Sequence, residues 1–262
     1  MNLYNEMYSK QGSEYSQFCR ENEWKLNNET FVPEMYERAR TFELHQKDPV
    51  PKVNFYAQQH EDCYIIQHIL KEKITDGVFL EMGACDGQLY SCTKTLEELF
   101  NFSGILIEPQ KHYYDQLIRN RPNCECYNYA ISNLNQETIS FIGNNEASGI
   151  SETINETSLK YTNKNQITEV PIISLKDLLK KSKYEYIDIM IVDVEGHELS
   201  VLESVDWSFP IYSIFVEAHS NQRDKNFEFG KLLQSKGFQF HERQRGNEVW
   251  FNPNYFRKHL FQ

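Results

Sequence analysis

The sequence predicts an α/β fold: a mainly parallel sheet with a C-terminal antiparallel hairpin and an N-terminal helical extension. From about residue 60, short apolar runs of strand length alternate with segments of helical period, the pattern of βαβ units. Those runs end in glycine, proline or acid clusters, as strands do where they feed a βα loop. The last two, Phe238 to Arg243 and Glu248 to Phe251, flank Gln244-Arg245-Gly246-Asn247, a hairpin signal.

Residues 1–56 lack long apolar runs and read as a helical extension packed on the body formed by residues 57–262. Helical spacing shows in Phe31, Met35 and Ala39, with Glu34 and Arg38 as an i,i+4 pair, and Asp48-Pro49-Val50-Pro51 ends the segment. Tyr64, Ile65, Ile66, Ile69 and Leu70 recur at helical spacing. Val78 to Met82 is a strand ending at Gly83, Leu89 to Phe100 a helix, and Gly104 to Glu108 a second strand stopped by Pro109. Lys111 to Asn120 is a helix ended by Arg121-Pro122, and Cys124 to Ile131 a third strand. Thr138 to Ile142 and Glu169 to Ile173 are strands around a polar insertion, 143–168, read as a mobile flap beside the site. Ser174 caps a helix through Lys181, with Asp177 completing a capping-box variant. Tyr186 to Val194 is a buried strand with Asp193 as its last buried position. His197 to Ser204 is a helix and Ile211 to Ala218 a strand. Phe227 to Lys236 is a helix closed by Gly237.

Composition narrows the function. The chain has 262 residues, 27 Lys plus Arg against 38 Asp plus Glu, and a formal net charge of −11. A field of that sign repels nucleic acids and anionic membranes, and no basic stripe offsets it. No apolar run approaches the roughly 18 residues of a spanning helix, and the N-terminus lacks a signal-peptide core. A cytoplasmic protein follows as the expectation, with its six cysteines reduced and structural and its three Asn-x-Ser/Thr sequons (Asn28, Asn101, Asn155) fortuitous.

Parallel α/β sheets bind ligands at the carboxyl ends of their strands, so chemistry is sought there. The first strand ends in Glu81-Met82-Gly83-Ala84-Cys85-Asp86-Gly87. Gly83 and Gly87 let backbone approach a ligand. The spacing is not the G-x-G-x-x-G of dinucleotide binders, and Glu81 and Asp86 bring negative charge to where a pyrophosphate would lie. The second strand ends in Glu108, about 20 residues after the glycine loop, where a carboxylate accepts ribose hydroxyls. Together these favour an adenosine-bearing cofactor with positive charge, S-adenosylmethionine rather than NAD. A later strand ends in Asp193-Val194-Glu195-Gly196-His197-Glu198, a costly concentration of acids unless it has a task. The next ends in Glu217-Ala218-His219, a base or metal-ligand candidate.

The runs FLEMGACDGQLYSCTKTLE (79–97), GILIEP (104–109) and DVEGHE (193–198) resemble the FkbM-type methyltransferases, Rossmann-like class I enzymes that use S-adenosylmethionine. Gln58-x-x-Glu61-Asp62, Tyr129-Ala130-Ile131, Ser148-Gly149 and Val170 to Leu175 agree in order, so the similarity spans roughly 57–250. Cys85 and Cys92 stand where many members carry Asn. The resemblance implies a seven-stranded sheet and O-methylation, often of a sugar hydroxyl in a glycan or natural product. It implies cofactor contacts from Gln58, Glu81, Gly83, Asp86, Gly87, Ser91, Thr93, Glu108, Ala130 and Asp193.

Methyl transfer needs the acceptor hydroxyl held at about 3 Å from the methyl and helped to lose its proton. Asp193, Glu195, Glu217 and His219 are the candidates. Asp193 and Glu217 could alternatively hold Mg²⁺, which takes oxygen ligands. The partner is then a small-molecule or glycan acceptor, with no nucleic acid and no membrane. The extension either covers the acceptor pocket or makes a homodimer contact. Rival expectations are a non-catalytic scaffold of the same fold and a nicotinamide-dependent oxidoreductase.

Overall fold

The computed structural model describes residues 3–23, 54–71 and 73–261. In chain order the strands are β1 (Val78–Met82), β2 (Ser103–Ile107), β3 (Glu125–Tyr127), β4 (Ala130–Ile131), β5 (Thr138–Ile142), β6 (Gly149–Ile150), β7 (Ile167–Ile173), β8 (Ile187–Val192), β9 (Ile211–Glu217), β10 (Gln239–Gln244) and β11 (Asn247–Phe251). The helices are α1 (Leu3–Ser9), α2 (Gly12–Glu21), α3 (Glu61–Tyr64, running on as a π-helix to Leu70), α4 (Lys94–Phe100), α5 (Lys111–Asn120), α6 (Ser158–Tyr161), α7 (Leu175–Leu179), α8 (Glu198–Glu203) and α9 (Arg223–Ser235).

The main sheet has seven strands in the order β10-β11-β9-β8-β1-β2-β3. Five are parallel, and the hairpin β10–β11 adds antiparallel strands beside β9. Strand order reverses between β1 and β8, which opens the crevice where such sheets bind ligands. Every residue of β1, β8 and β9 is buried, as central strands covered on both faces require. Strand alternation divides the core into two layers. Val78, Leu80, Met82, Met190 and Val192 face one, with α1, α7 and α9. Phe79, Leu106, Ile189, Ile191 and Phe215 face the other, with α3 and α4.

A second sheet of four strands, β4-β7-β5-β6, carries its own small core of Ala130, Ile139, Phe141, Ile150 and Val170. The expected single strand from Cys124 to Ile131 is therefore two. β3 completes the main sheet and β4 joins the second. The break comes at Asn128, whose amide donates to Glu108 O at 2.8 Å and Pro109 O at 2.9 Å and so turns the chain. The helix expected from Leu89 starts only at Lys94, because the backbone N–H of Cys92 and the hydroxyls of Ser91 and Thr93 bond the Glu81 carboxylate instead. β8 ends at Val192, so Asp193 is half-buried just beyond the strand rather than its last buried position. Ser174 accepts from the Asp177 N–H and opens α7, as the capping pattern predicts.

α1 places Tyr4 against Trp250, Phe240 and Phe227, and its hydroxyl donates to Asn226 O at 3.0 Å. Tyr8 donates to the buried Glu248 carboxylate at 2.5 Å. The segment around Phe31, Met35 and Ala39 and the breaker at 48–51 lie outside the described residues. No helix among the described residues is long and apolar enough to cross a membrane.

Arg121, at the end of α5, fixes the loop after β1. It is fully buried, and its guanidinium donates to Gly87 O, Ser91 Oγ and Thr93 Oγ1, each at 3.1 Å, while pairing with Glu97. Its planar fork spans three groups that a lysine could not reach together. Arg121→Met keeps the volume but unties the loop and leaves Glu97 only its 3.8 Å pairing with Lys94. The expected loss is about 3–5 kcal/mol, read as a shift of the urea midpoint at unchanged slope. A loss below about 1 kcal/mol would contradict this role.

Candidate active site

The carboxyl ends of β2, β1, β8 and β9, four adjacent strands, floor a cavity of about 510 Å³. Each delivers a carboxylate to it: Glu108, Glu81, Asp193 and Glu217. Gly83 has φ +77°, and a Cβ there would lie 2.2 Å from Asp193 O. Only glycine lets the loops after β1 and β8 meet this closely. Gln58, Ala130, Glu195 and His219 also line the cavity.

Asp86, Gly87, Ser91 and Thr93 do not line it and work behind its wall. Asp86 Oδ1 accepts from the N–H of Gln88 and Leu89 at 2.9 and 2.7 Å, which shapes the turn. A side chain at Gly87 would strike Arg121 and Leu117. Ser91 and Thr93 donate to Glu81 Oε2 at 2.9 and 2.5 Å, and the Cys92 N–H reaches Glu81 Oε1 at 2.7 Å. Burial pushes the Glu81 carboxyl up, while Arg121 and these donors oppose it. Its donors bind it to the loop, so Glu81 braces the site as well as lining it.

Glu108 is buried, and its oxygens accept from the N–H of Cys85 at 2.9 Å and of Gln110 at 2.7 Å. Burial outweighs these bonds and raises the carboxyl to about 7. At the other end, His219 Nε2 lies 2.8 Å from Glu217 Oε1 and 3.8 Å from Glu195 Oε2. A contact of 2.8 Å between two acceptor-capable atoms requires a proton between them. Burial raises Glu217 to about 7, and its Oε2 is buried with no hydrogen-bond partner among the described residues. Burial alone would lower His219, but Glu195 and Glu217 reverse this and hold it at about 10. Burial and the facing carboxylates of Glu217 and Glu195 push Asp193 well up. Ligand atoms of Glu195, Glu217 and His219 all lie within 4.8 Å of one another, so this triad has the separations to hold a divalent cation.

His197 is a buried, neutral imidazole, lowered to about 4 chiefly by burial. Its nitrogens contact Thr153 Oγ1 at 2.9 Å and Ser132 Oγ at 3.2 Å, which gives it a structural task.

The insertion after β5, which carries β6 and α6, forms the facing wall and is hydrogen-bonded to the acidic loop. Asn155 donates through its amide to Glu195 Oε2 at 2.9 Å and through its N–H to Glu195 O at 3.0 Å; Ser158 also donates to Glu195. Gly196 has φ +119°, and a Cβ there would meet Thr153 O at 2.2 Å, so the insertion sits directly on this turn. Asn155, Ser158, Gln110 and Arg121 carry no motif signal. Asn155 stood out only as a sequon, and it is buried.

No curated protein matches this chain in sequence. Among solved structures it resembles a precorrin-6y C5,15-methyltransferase from Geobacter metallireducens GS-15, at 9% identity and TM-score 0.41, over 72% of this chain and 87% of that one. It also resembles the METTL16 MTase domain, at 10% identity and TM-score 0.45, over 95% and 91% of the two chains. A putative rRNA-methylase from Clostridium thermocellum is similar at 8% identity and TM-score 0.44, over 76% and 96%. The model of the methyltransferase FkbM domain matches residues 81–244, more than half of the 262-residue chain, with the strand-end carboxylates Glu81, Glu108, Asp193 and Glu217 inside the match. The chain therefore belongs to the FkbM methyltransferase family and is a methyltransferase dependent on S-adenosylmethionine.

Proposed function

We propose that this enzyme transfers the methyl group to oxygen, on a hydroxyl of a sugar in a glycan or glycosylated natural product. The observation that carries this reading is the Glu217–His219 pair. In Glu217, a residue of the cavity lining, one carboxylate oxygen is engaged by an imidazole and the other, Oε2, is buried with no hydrogen-bond partner among the described residues. An alcohol is a weak nucleophile at neutral pH, and a carboxylate with an unused acceptor site is what it needs.

S-adenosylmethionine supplies an electrophilic methyl on a sulfonium. Glu108 takes the ribose, and Gly83 with its loop takes the methionine portion. Asp193 and the neighbouring acids set a negative field that favours a sulfonium over a neutral thioether. Glu217 Oε2 accepts the hydroxyl proton as the oxygen–methyl bond forms and the sulfur–methyl bond breaks. His219 holds Glu217 in place, and the Asn155 amide nitrogen, 2.9 Å from both His219 Nε2 and Glu195 Oε2, stands between His219 and Glu195. Tyr90 and Tyr161 present exposed rings at the rim, which suits the apolar face of a sugar.

The triad of Glu195, Glu217 and His219 supports a second reading, in which a divalent cation such as Mg²⁺ activates the hydroxyl. Chelator treatment separates the two. Full turnover after chelation fits the proton-transfer reading, and loss restored by added Mg²⁺ fits the cation.

Three outcomes are expected. Glu217→Gln should lower kcat by about 100-fold or more while S-adenosylhomocysteine affinity changes less than about twofold; unchanged kcat would overturn the assignment. Labelled methyl from S-adenosylmethionine, offered to a panel of sugars, should appear as a methyl ether. Transfer only to nitrogen or carbon acceptors would refute it. The third concerns pH. Ribose hydroxyls donate to the ionised form of Glu108, whose carboxyl sits at about 7, so binding favours loss of its proton. Affinity for S-adenosylhomocysteine should therefore weaken from about pH 8 to about pH 6, and this slope should flatten in Glu108→Gln. Equal slopes in both proteins would contradict the role of Glu108.

A further inference from the structure

We propose that Arg243, in β10, is a positioning residue for methyl transfer: by fixing the peptide that joins Ala218 to His219, it holds His219 against Glu217. The inference rests on the assignment of proton transfer to that pair and adds the group that keeps the pair together.

Glu217 and His219 are residues i and i+2 on extended backbone, so their side chains leave the same face of the chain. Their separation, 2.8 Å between Oε1 and Nε2, is set by the two peptides on either side of Ala218. Three bonds grip those peptides from behind. The Ala218 N–H donates to Gly246 O, in the turn between β10 and β11, at 2.7 Å. The Ala218 carbonyl accepts from Arg243 Nη2 at 2.5 Å. The His219 carbonyl accepts from the amide of Asn226, in α9, at 2.8 Å. Neutral groups serve the outer two bonds, and a charge serves the middle one. Arg243 is buried and does not line the cavity, so it acts through the backbone and not on a ligand.

A buried guanidinium is costly unless it is compensated. Glu248, fully buried, stands directly opposite Arg243 in the β10–β11 register. Tyr8 of α1 donates to Glu248 Oε1 at 2.5 Å, and Glu23, just past α2, forms a backbone bridge with Arg243. The N-terminal helices thus close over the Arg243–Glu248 pair and keep water from it. Through Arg243 their docking reaches the Glu217–His219 pair, although none of the described residues of α1 and α2 lines the cavity. Such a tie matters because a shift of about 1 Å in a reacting group can cost about 100-fold in rate.

The test compares wild type with Arg243→Met and with Arg243→Met/Glu248→Gln. The double variant removes the uncompensated Glu248 charge that the single one leaves buried, and so guards against a failure to fold. Each protein is crystallised with S-adenosylhomocysteine, titrated with it by calorimetry, and assayed for labelled-methyl transfer to the methyl glycosides of glucose, galactose, mannose and rhamnose. In both variants the Oε1–Nε2 separation should open from 2.8 Å to beyond about 3.5 Å. Turnover should fall about tenfold or more while S-adenosylhomocysteine affinity stays within about twofold. A pair still in contact in the variants, or turnover and affinity falling together, overturns the proposal. An opened pair with undiminished turnover overturns it as well, and Glu217→Gln in the same assay shows whether the base assignment falls with it. Wild type that methylates none of the glycosides refutes the sugar acceptor, a different failure, and the separation in the variants still decides the positioning.

Discussion

The site depends on one constraint: four carboxylates must be kept at the carboxyl ends of four adjacent parallel strands, against a wall of low dielectric. Charge buried there is expensive unless it is paired or given a ligand. The solutions differ. Glu81 is surrounded by hydroxyls and an N–H, with Arg121 behind them. Glu108 takes backbone N–H groups, which cost no side-chain ordering. Glu217 shares a proton with His219 and has one oxygen without a hydrogen-bond partner among the described residues. Asp193 faces the acids and has its carboxyl pushed well up. From β1 to β9 the carboxylates thus pass from fully supported to partly unsatisfied, which places the electrostatic demand for a cation at the β8–β9 end.

The strands and their ends were legible because hydrophobic runs of strand length have few other readings. Val78–Met82 and Ile187–Val192 are buried throughout, and a run of acids after such a strand has no cheap structural explanation. Glu81, Glu108, Asp193 and Glu217 could therefore be placed on the cavity floor by position alone. The start of α4 could not. Local periodicity favours a helix from Leu89, but the Glu81 carboxylate takes the N–H and hydroxyl groups that would open it, and that competition is tertiary. Asn128 likewise ends one strand and begins another through bonds to residues about 20 positions earlier in sequence, about the spacing of successive strand ends in this fold. Arg121 looked like the end of a helix, and nothing in its neighbours announces a fully buried guanidinium.

The polar insertion reads in sequence as a mobile flap beside the site, whereas in the structure it is a wall hydrogen-bonded to the acidic loop. Asn155, Ser158 and Thr153 reach Glu195 and His197 across more than thirty positions of sequence. These bonds connect the wall to the acidic loop, so a ligand that displaces or recharges Glu195 also acts on the insertion. The docking of Tyr4 and Tyr8 on β10, β11 and α9 braces the far edge of the same sheet. The net charge of −11 is thus partly local. Five of its acids, Glu81, Glu108, Asp193, Glu195 and Glu217, stand at or just beyond strand ends and line the cavity, where a cationic cofactor reduces their mutual repulsion.

The most direct measurement is a crystal structure of the protein with S-adenosylhomocysteine. The ribose should lie on Glu108, the amino acid portion along the Gly83 loop, and the thioether sulfur beside Asp193 with Glu217 and His219 bounding the open space beyond it. A nucleoside bound elsewhere, or a sulfur turned away from Asp193 and Glu217, would contradict the assignment of methyl transfer to this end of the sheet.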